Sequence, residues 1–250
     1  YDFSLNYSFS EEPIEIPNGF SAVGQGNKLV LFDGEKFSVY YKAAKPGEFF
    51  AVREYNRKSK EISVKLSETA KGKLWTRLVL NTAGIEELVS QKSGVIFHSS
   101  FIEKDKKALL FTGKCGVGKS TQAKLWKKYR NAPIINGDKT LIYLENGKVF
   151  ASGLPFSGSS NISQNRTMPL EMIVNLGQSK ENSIVSLSPH EAFLCLMKSS
   201  YVPPYCNDEI SKILLKIAKE TSFCSLLCTP DESAVKALEN FLKGREKFEF

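Results

Sequence analysis

The sequence predicts an α/β protein: a β-rich segment over residues 1–83, followed by a mixed α/β core over residues 84–250. Three observations predict it. The first eighty residues alternate apolar and polar side chains with the period of strands. At residues 108–126, "ALLFTGKCGVGKSTQAKLW", an apolar strand turns through three glycines directly into a helix. Beyond that corner, apolar strands alternate with segments of helical spacing, the pattern of a sheet covered by helices.

Taken in order, "DFSLNYSF" places Phe3, Leu5, Tyr7 and Phe9 on one side of a half-buried strand. "KLVLFDGEKFSVYYK" reads as a hairpin, with Asp33-Gly34 at its turn. "EFFAVREYN", "EISVKLS" and "LWTRLVLN" are further strands. "TAGIEELVSQKSG" is a short helix with Thr82 as N-cap. "GVIFHSSFIE" and "KALLFTG" make two strands joined through "KDKK", and a helix over Ser120–Trp126 follows the corner. "APIINGDKTLIYLENGKVFASG" gives strands with Asn146-Gly147 as a hairpin turn, and "MPLEMIVNLG" gives one more. "SPHEAFLCLMKSS" and "NDEISKILLKIAKET" have helical spacing. "FCSLLCTPDESAVKALENFLKG" reads as a strand and a closing helix ended by Gly244.

Lys and Arg number 34 against 27 Asp and Glu, a formal charge of +7 that favours anionic partners such as nucleotides. No DNA- or RNA-binding signature accompanies the charge, so nucleic acid is not an expected partner. The five cysteines, Cys115, Cys195, Cys206, Cys224 and Cys228, form no C-x-x-C pair, and two histidines are too few for a zinc site with them. A reduced, cytoplasmic compartment is expected. No run approaches a membrane span, and the chain opens on Tyr1 without a charged-then-apolar leader, so no membrane association is expected.

The corner Gly113-Lys114-Cys115-Gly116-Val117-Gly118-Lys119-Ser120 satisfies G-x-x-x-x-G-K-[ST], with Thr121 completing the first helical turn. After a strand, glycines let successive N–H groups turn into one concavity, in conformations that a Cβ obstructs. The helix N-terminus adds about half a positive charge. Lys119 supplies a full charge to outer phosphates, and the Ser120 hydroxyl can join the shell of Mg2+. Cys115 either contributes its N–H alone or serves as a redox switch. Two flanking residues extend the candidate site. His98 lies one strand and a hairpin upstream, where an antiparallel return carries its side chain toward the phosphate end; a structural strand histidine is the alternative. Asp138, after apolar Ile134-Ile135, suits an acid at a strand end aimed at Mg2+ or at a nucleophile's proton; a turn residue beside Gly137 is the alternative.

"GVIFHSS", "ALLFTGKCGVGKST" and "NGDK" together resemble the HPr kinase/phosphorylase family and its small bacterial relatives, a group related in its nucleotide-binding core to ATP-dependent phosphoenolpyruvate carboxykinases. "GLPFSGSSNISQNRTMPLEMIVNLG" and "SLLCTPDESAVKALENFL" are similar to later sections of those relatives. The resemblance spans roughly residues 84–242 and leaves the first eighty residues unmatched. It implies a P-loop core with a mixed sheet, ATP and Mg2+ as cofactors, and transfer of the γ-phosphoryl group to a hydroxyl, a serine of a peptide or protein. By the same resemblance Lys119 holds the outer phosphates and Ser120 the Mg2+. Asp138 activates the acceptor or binds the metal, and His98 approaches the phosphate or tunes the base. Gly137-Asp138-Lys139 departs from the family's acidic pair, and the HPr-binding signature is not recognisable, so HPr is not the expected acceptor. Arg166, after the "PFSG" turn, is a candidate second phosphate clamp or a solvated loop arginine. A nucleotide-gated interaction module without turnover is the competing reading.

Overall fold

The computed structural model describes residues 4–18, 23–33, 36–56, 59, 61–73, 76–90, 92–156, 158–202 and 207–246. The chain divides into two units, Tyr1–Ile85 and Glu86–Phe250, each built on a mixed sheet. Among the described residues there are six α-helices, and no helix is long and apolar enough to cross a membrane.

The first unit carries β1 (Ser4–Ser10), β2 (Val23–Gln25), β3 (Lys28–Asp33), β4 (Lys36–Lys42), β5 (Phe49–Asn56) and β6 (Glu61–Ser67), in the sheet order β1-β6-β5-β4-β3-β2. Neighbours are antiparallel except β1, which runs parallel to β6. Period-2 patterning puts Phe37, Val39 and Tyr41 of β4 on the same buried face as Ala51 and Tyr55 of β5 and Ile62, Val64 and Leu66 of β6. Arg53 is buried among them and donates to the Tyr41 hydroxyl at 3.2 Å. On β1 the expected buried face is not found: Leu5 and Phe9 remain exposed, and Tyr7 of that row is part-buried. Phe3 and the Gly34 of the Asp33-Gly34 turn lie outside the described residues.

Two expectations here are corrected. "LWTRLVLN" contributes not a strand but helix α1 (Thr76–Thr82). A short apolar run reads either way by periodicity. Here the Tyr7 hydroxyl donates to Val79 O at 2.7 Å and the Tyr41 hydroxyl to Asn81 O at 3.1 Å, so carbonyls near the helix's end are capped by the sheet. Thr82 is therefore not an N-cap. It lies in the last turn of α1, and its hydroxyl donates back to Leu78 O and Val79 O. The next helix, α2 (Ile85–Ser90), begins after Gly84, whose φ is 71°.

The second unit holds β7 (Gly94–His98), β8 (Ser100–Lys104), β9 (Lys107–Thr112), α3 (Lys119–Arg130), β10 (Ile134–Asn136), β11 (Lys139–Glu145), β12 (Lys148–Gly153), β13 (Thr167–Gln178), β14 (Ser183–Ser186), α4 (Pro189–Ser199), α5 (Asn207–Glu220), β15 (Ser222–Cys228) and α6 (Glu232–Glu246). The sheet runs β10-β8-β9-β13-β12-β11-β7, with β15 on the C-terminal half of β13 and β14 on β15. β9, β13 and β15 are parallel; the remaining pairs are antiparallel.

Alternation along β9 feeds two cores. Leu110, with Ile173 and Phe223, packs against Leu196 of α4 and Leu214 and Ile217 of α5. Leu109 and Phe111 face the other way, onto Ala123 and Trp126 of α3 and Leu238 of α6. Each of these large apolar side chains contributes about 1.5–3 kcal/mol by leaving water. "GVIFHSSFIE" is not one strand but two, broken at Ser99. There the Ser99 N–H donates to Asp138 O at 3.1 Å and its hydroxyl to Thr140 Oγ1 at 2.9 Å. The break sends β7 to β11 and β8 to β9. Asp105 and Lys106 turn the β8–β9 hairpin with φ of 50° and 63°, and Asn146-Gly147 turns β11 into β12 as expected. Gly244 does not end the last helix, which continues to Glu246, with Arg245 donating to Ser222 Oγ at 2.6 Å.

Candidate functional site

β9 ends at Thr112, whose hydroxyl donates to His98 O at 3.0 Å, so the start of the glycine corner is tied to the end of β7. The corner then passes through Gly113, Gly116 and Gly118 at φ of 135°, 77° and 113°, all in the left-handed region where side chains are strained. At Gly113 a Cβ would also lie 3.0 Å from Leu176 O and 3.1 Å from Val117 Cγ1. Gly118 caps α3 without a side-chain bond, and Gln122 N donates to Gly118 O at 2.9 Å to open the helix. The N–H groups of that first turn, on Lys119, Ser120 and Thr121, have no intrahelical acceptor. Lys119 reaches back over the corner: its ammonium donates to Gly113 O at 3.0 Å and Lys114 O at 3.2 Å. Burial pushes the Lys119 pKa below its ordinary value, while Cys115 and Asp138 pull it up. A concavity of glycines with a half-buried ammonium above and a helix N-terminus behind fits an anion with several oxygens. Cys115, Ser120 and Thr121 are exposed on its surface.

Asp138 sits between β10 and β11, held by Asn136. The buried Asn136 accepts from the Asp138 and Lys139 N–H groups at 2.9 and 3.0 Å, and its amide donates to Leu154 O and Phe156 O at 2.7 and 2.9 Å. One side chain therefore fixes both the acid and the segment that follows β12. Gly158, at φ 54°, closes that segment onto the acid: a Cβ there would fall 2.7 Å from Asp138 Cγ. His98 Nδ1 lies 3.7 Å from Asp138 Oδ1. Burial lowers the His98 pKa most, Lys119 lowers it further, Asp138 opposes them, and Lys139 adds to the lowering. The structure thus brings His98, Asp138 and Lys119 into one electrostatic neighbourhood at the mouth of the corner.

Arg166 is placed elsewhere. Its guanidinium pairs with Glu103 Oε2 at 2.5 Å, toward the hairpin end of β8 and away from Ser100, which stands opposite Phe111 near the corner. Four residues beside Asp138 were not expected: Asn136, Gly158, Lys139 and Tyr201. The Lys139 ammonium lies 4.8 Å from the ring centre of Phe156 and 4.5 Å from that of Tyr201. Burial, with the negative charges of Asp138 and Glu86, pushes the Tyr201 phenol up to about 12, so it stays protonated. The run Asn136-Gly137-Asp138 carries a sequence signal, an Asn able to bond backbone two residues on. Tyr201 carries none.

On the α4 side of the corner a cleft of about 760 Å³ opens between Gly113–Val117, the C-terminal end of β13, and α4. It lies at the carboxyl ends of parallel strands β9 and β13, where open α/β sheets bind ligands. Among the described residues no cluster of three or more His, Cys, Asp or Glu is arranged to hold a metal. A Mg2+ here would rely on Asp138, Ser120 and substrate oxygens, in keeping with an ion that retains water and substrate ligands.

The model of a family described as "SynChlorMet cassette protein ScmC" matches residues 64–223, more than half of the chain. The chain belongs to the ScmC family. No curated protein matches this ScmC-family chain. Among solved structures it is similar to the Hpr(Ser) kinase/phosphatase from Coxiella burnetii, at 12% identity and a TM-score of 0.37, covering 62% of this chain and 99% of that one. At that TM-score the neighbour does not establish the expected HPr kinase-like kinship for the ScmC-family chain.

Proposed function

We propose that the chain is an ATP-dependent kinase that transfers the γ-phosphoryl group to a hydroxyl, a serine of a peptide or protein acceptor. The observation that carries this reading is the convergence of His98, Asp138 and Lys119 at the mouth of a corner whose three glycines, Gly113, Gly116 and Gly118, all take left-handed φ. The N–H groups from Gly113 to Thr121 would cradle the phosphates and Lys119 would neutralise the outer ones. Ser120 and Asp138 would hold Mg2+, which supplies charge neutralisation when bound. The acceptor oxygen bonds to the γ-phosphorus as the bond to the bridging oxygen breaks and ADP leaves. The Asp138 carboxylate takes the hydroxyl proton, and neutral His98 orients that carboxylate. Tyr201, kept protonated, and Lys139, stacked on its ring, stand beside the acid.

Calorimetry with MgATP and transfer assays on serine peptides test this. Wild type should bind ATP and phosphorylate a peptide. Lys119→Ala should lose ATP affinity by a hundredfold or more. Asp138→Asn should retain ATP and lose about 10²–10⁴ in transfer, the range of a general base. An unchanged transfer rate in Asp138→Asn removes the acid from the mechanism. Lys139, a cation beside the acid, favours a second reading, a nucleotide-binding interaction module without turnover. Tight ATP binding with no transfer to any hydroxyl would select it.

A further inference from the structure

We propose that the cleft along α4 is the acceptor subsite, and that it takes an extended peptide with an apolar side chain beside its hydroxyl and an acidic group nearby. The inference deepens the kinase reading and rests on it.

Glu191, Leu194, Cys195 and Lys198 recur at helical spacing, so one face of α4 forms the wall of the cleft. Its middle is apolar: Leu187, Leu194 and Cys195. Leu194, 41% exposed, presents its apolar side chain to the cleft. Burial pushes the Cys195 thiol up to about 11, which keeps it an uncharged part of that wall. The charges around it are unequal. Glu191 is engaged by the start of its own helix, accepting from Ser188 N at 2.9 Å and Ser188 Oγ at 2.7 Å. Lys198 and Lys114 are exposed at the rim, a field suited to a carboxylate.

Position decides between acceptor and nucleoside. The Lys119 ammonium lies over the carbonyls of Gly113 and Lys114, and both residues line the cleft. In this motif that lysine meets the outer phosphates, so the cleft opens at the outer end of a polyphosphate. Thr121, one position further along α3 than the Mg2+-holding Ser120, does not line it. The wall also continues toward the acid. Beyond α4, Ser200 bridges to Phe97 and Tyr201 N donates to Ile96 O at 2.8 Å, beside His98. A peptide lying along α4 can therefore present a hydroxyl between the loop and Asp138.

The test uses the full chain and fluorescein-labelled serine decapeptides that carry Leu or Gly beside the serine and Asp or Lys elsewhere. Peptide binding is followed by anisotropy with MgADP present, ATP binding by calorimetry, and transfer separately. Wild type should bind Leu- and Asp-containing peptides at least tenfold more tightly than the Gly and Lys versions. Leu194→Arg should weaken peptide binding tenfold or more, and Lys198→Glu should reverse the preference between Asp and Lys, both with ATP affinity within twofold of wild type. Both side chains are exposed, so the fold tolerates the changes. Three results would overturn the subsite: no peptide bound by wild type, peptide binding unchanged in both variants, or ATP affinity lost in their place, which would assign the cleft to the nucleoside. Peptide binding with the expected preferences but no transfer would remove the kinase reading and leave the cleft standing.

Discussion

His98 Nδ1 stands 3.7 Å from Asp138 Oδ1 because β7 and β11 pair with Lys139 opposite His98. The imidazole's ordinary pKa is lowered by burial and by Lys119 and held up by Asp138. Replacing the cation, Lys119→Met, should raise the His98 pKa, and removing the anion, Asp138→Asn, should lower it further. MgATP, bringing negative charge to the mouth, should raise it in wild type. With two histidines in the chain, a proton NMR titration resolves each ring. A His98 pKa indifferent to both substitutions would mean that the three groups do not share a site.

The same shift has a consequence for stability. Because the folded pKa of His98 lies below its unfolded value, the unfolded chain binds more protons in the window below about pH 6.5. Stability should therefore rise with pH through that window and fall on acidification. His98→Gln should flatten this part of the profile in urea melts taken between pH 5 and 7.

Gly158→Ala should separate binding from chemistry. The new Cβ would fall 2.7 Å from Asp138 Cγ, and its φ of 54° adds about 1–2 kcal/mol of strain. ATP affinity should hold while phosphoryl transfer falls tenfold or more. Equal loss in both would show that this glycine supports the fold and not the acid alone.

Asn136→Leu removes a side chain that makes four hydrogen bonds in a fully buried position. Leaving Leu154 O and Phe156 O without their donor should cost about 1–3 kcal/mol each if no water replaces it. The midpoint in urea should drop, and transfer should fall more than ATP binding does.

Arg166→Gln tests whether that guanidinium serves the phosphate site. Its pair with Glu103 is 43% exposed on the arginine side, so its loss should cost about 1 kcal/mol or less. A tenfold fall in ATP affinity would return Arg166 to the phosphates.

The glycine corner was legible because its residue types encode backbone: Gly113, Gly116 and Gly118 each take a φ that other residues avoid. The hairpin at Asn146-Gly147 was legible for the same reason. What the sequence hid was decided by partners distant along the chain. Residues 76–82 became a helix where hydroxyls from Tyr7 and Tyr41 meet its carbonyls. The strand break at Ser99 depends on bonds to Asp138 and Thr140. His98 and Asp138 could be named from local context and resemblance, but Gly158 and Tyr201 reach the acid only through the fold of the segments that carry them.

The setting of Cys115 has a practical consequence. It is exposed at the glycine corner, whereas Cys195, Cys224 and Cys228 are buried, and burial pushes the thiols of Cys195 and Cys224 up to about 11 and 12. Among these four, an alkylating reagent therefore meets Cys115 first. The rate at which it is modified becomes a chemical footprint of loop occupancy, readable by mass spectrometry before any acceptor has been found.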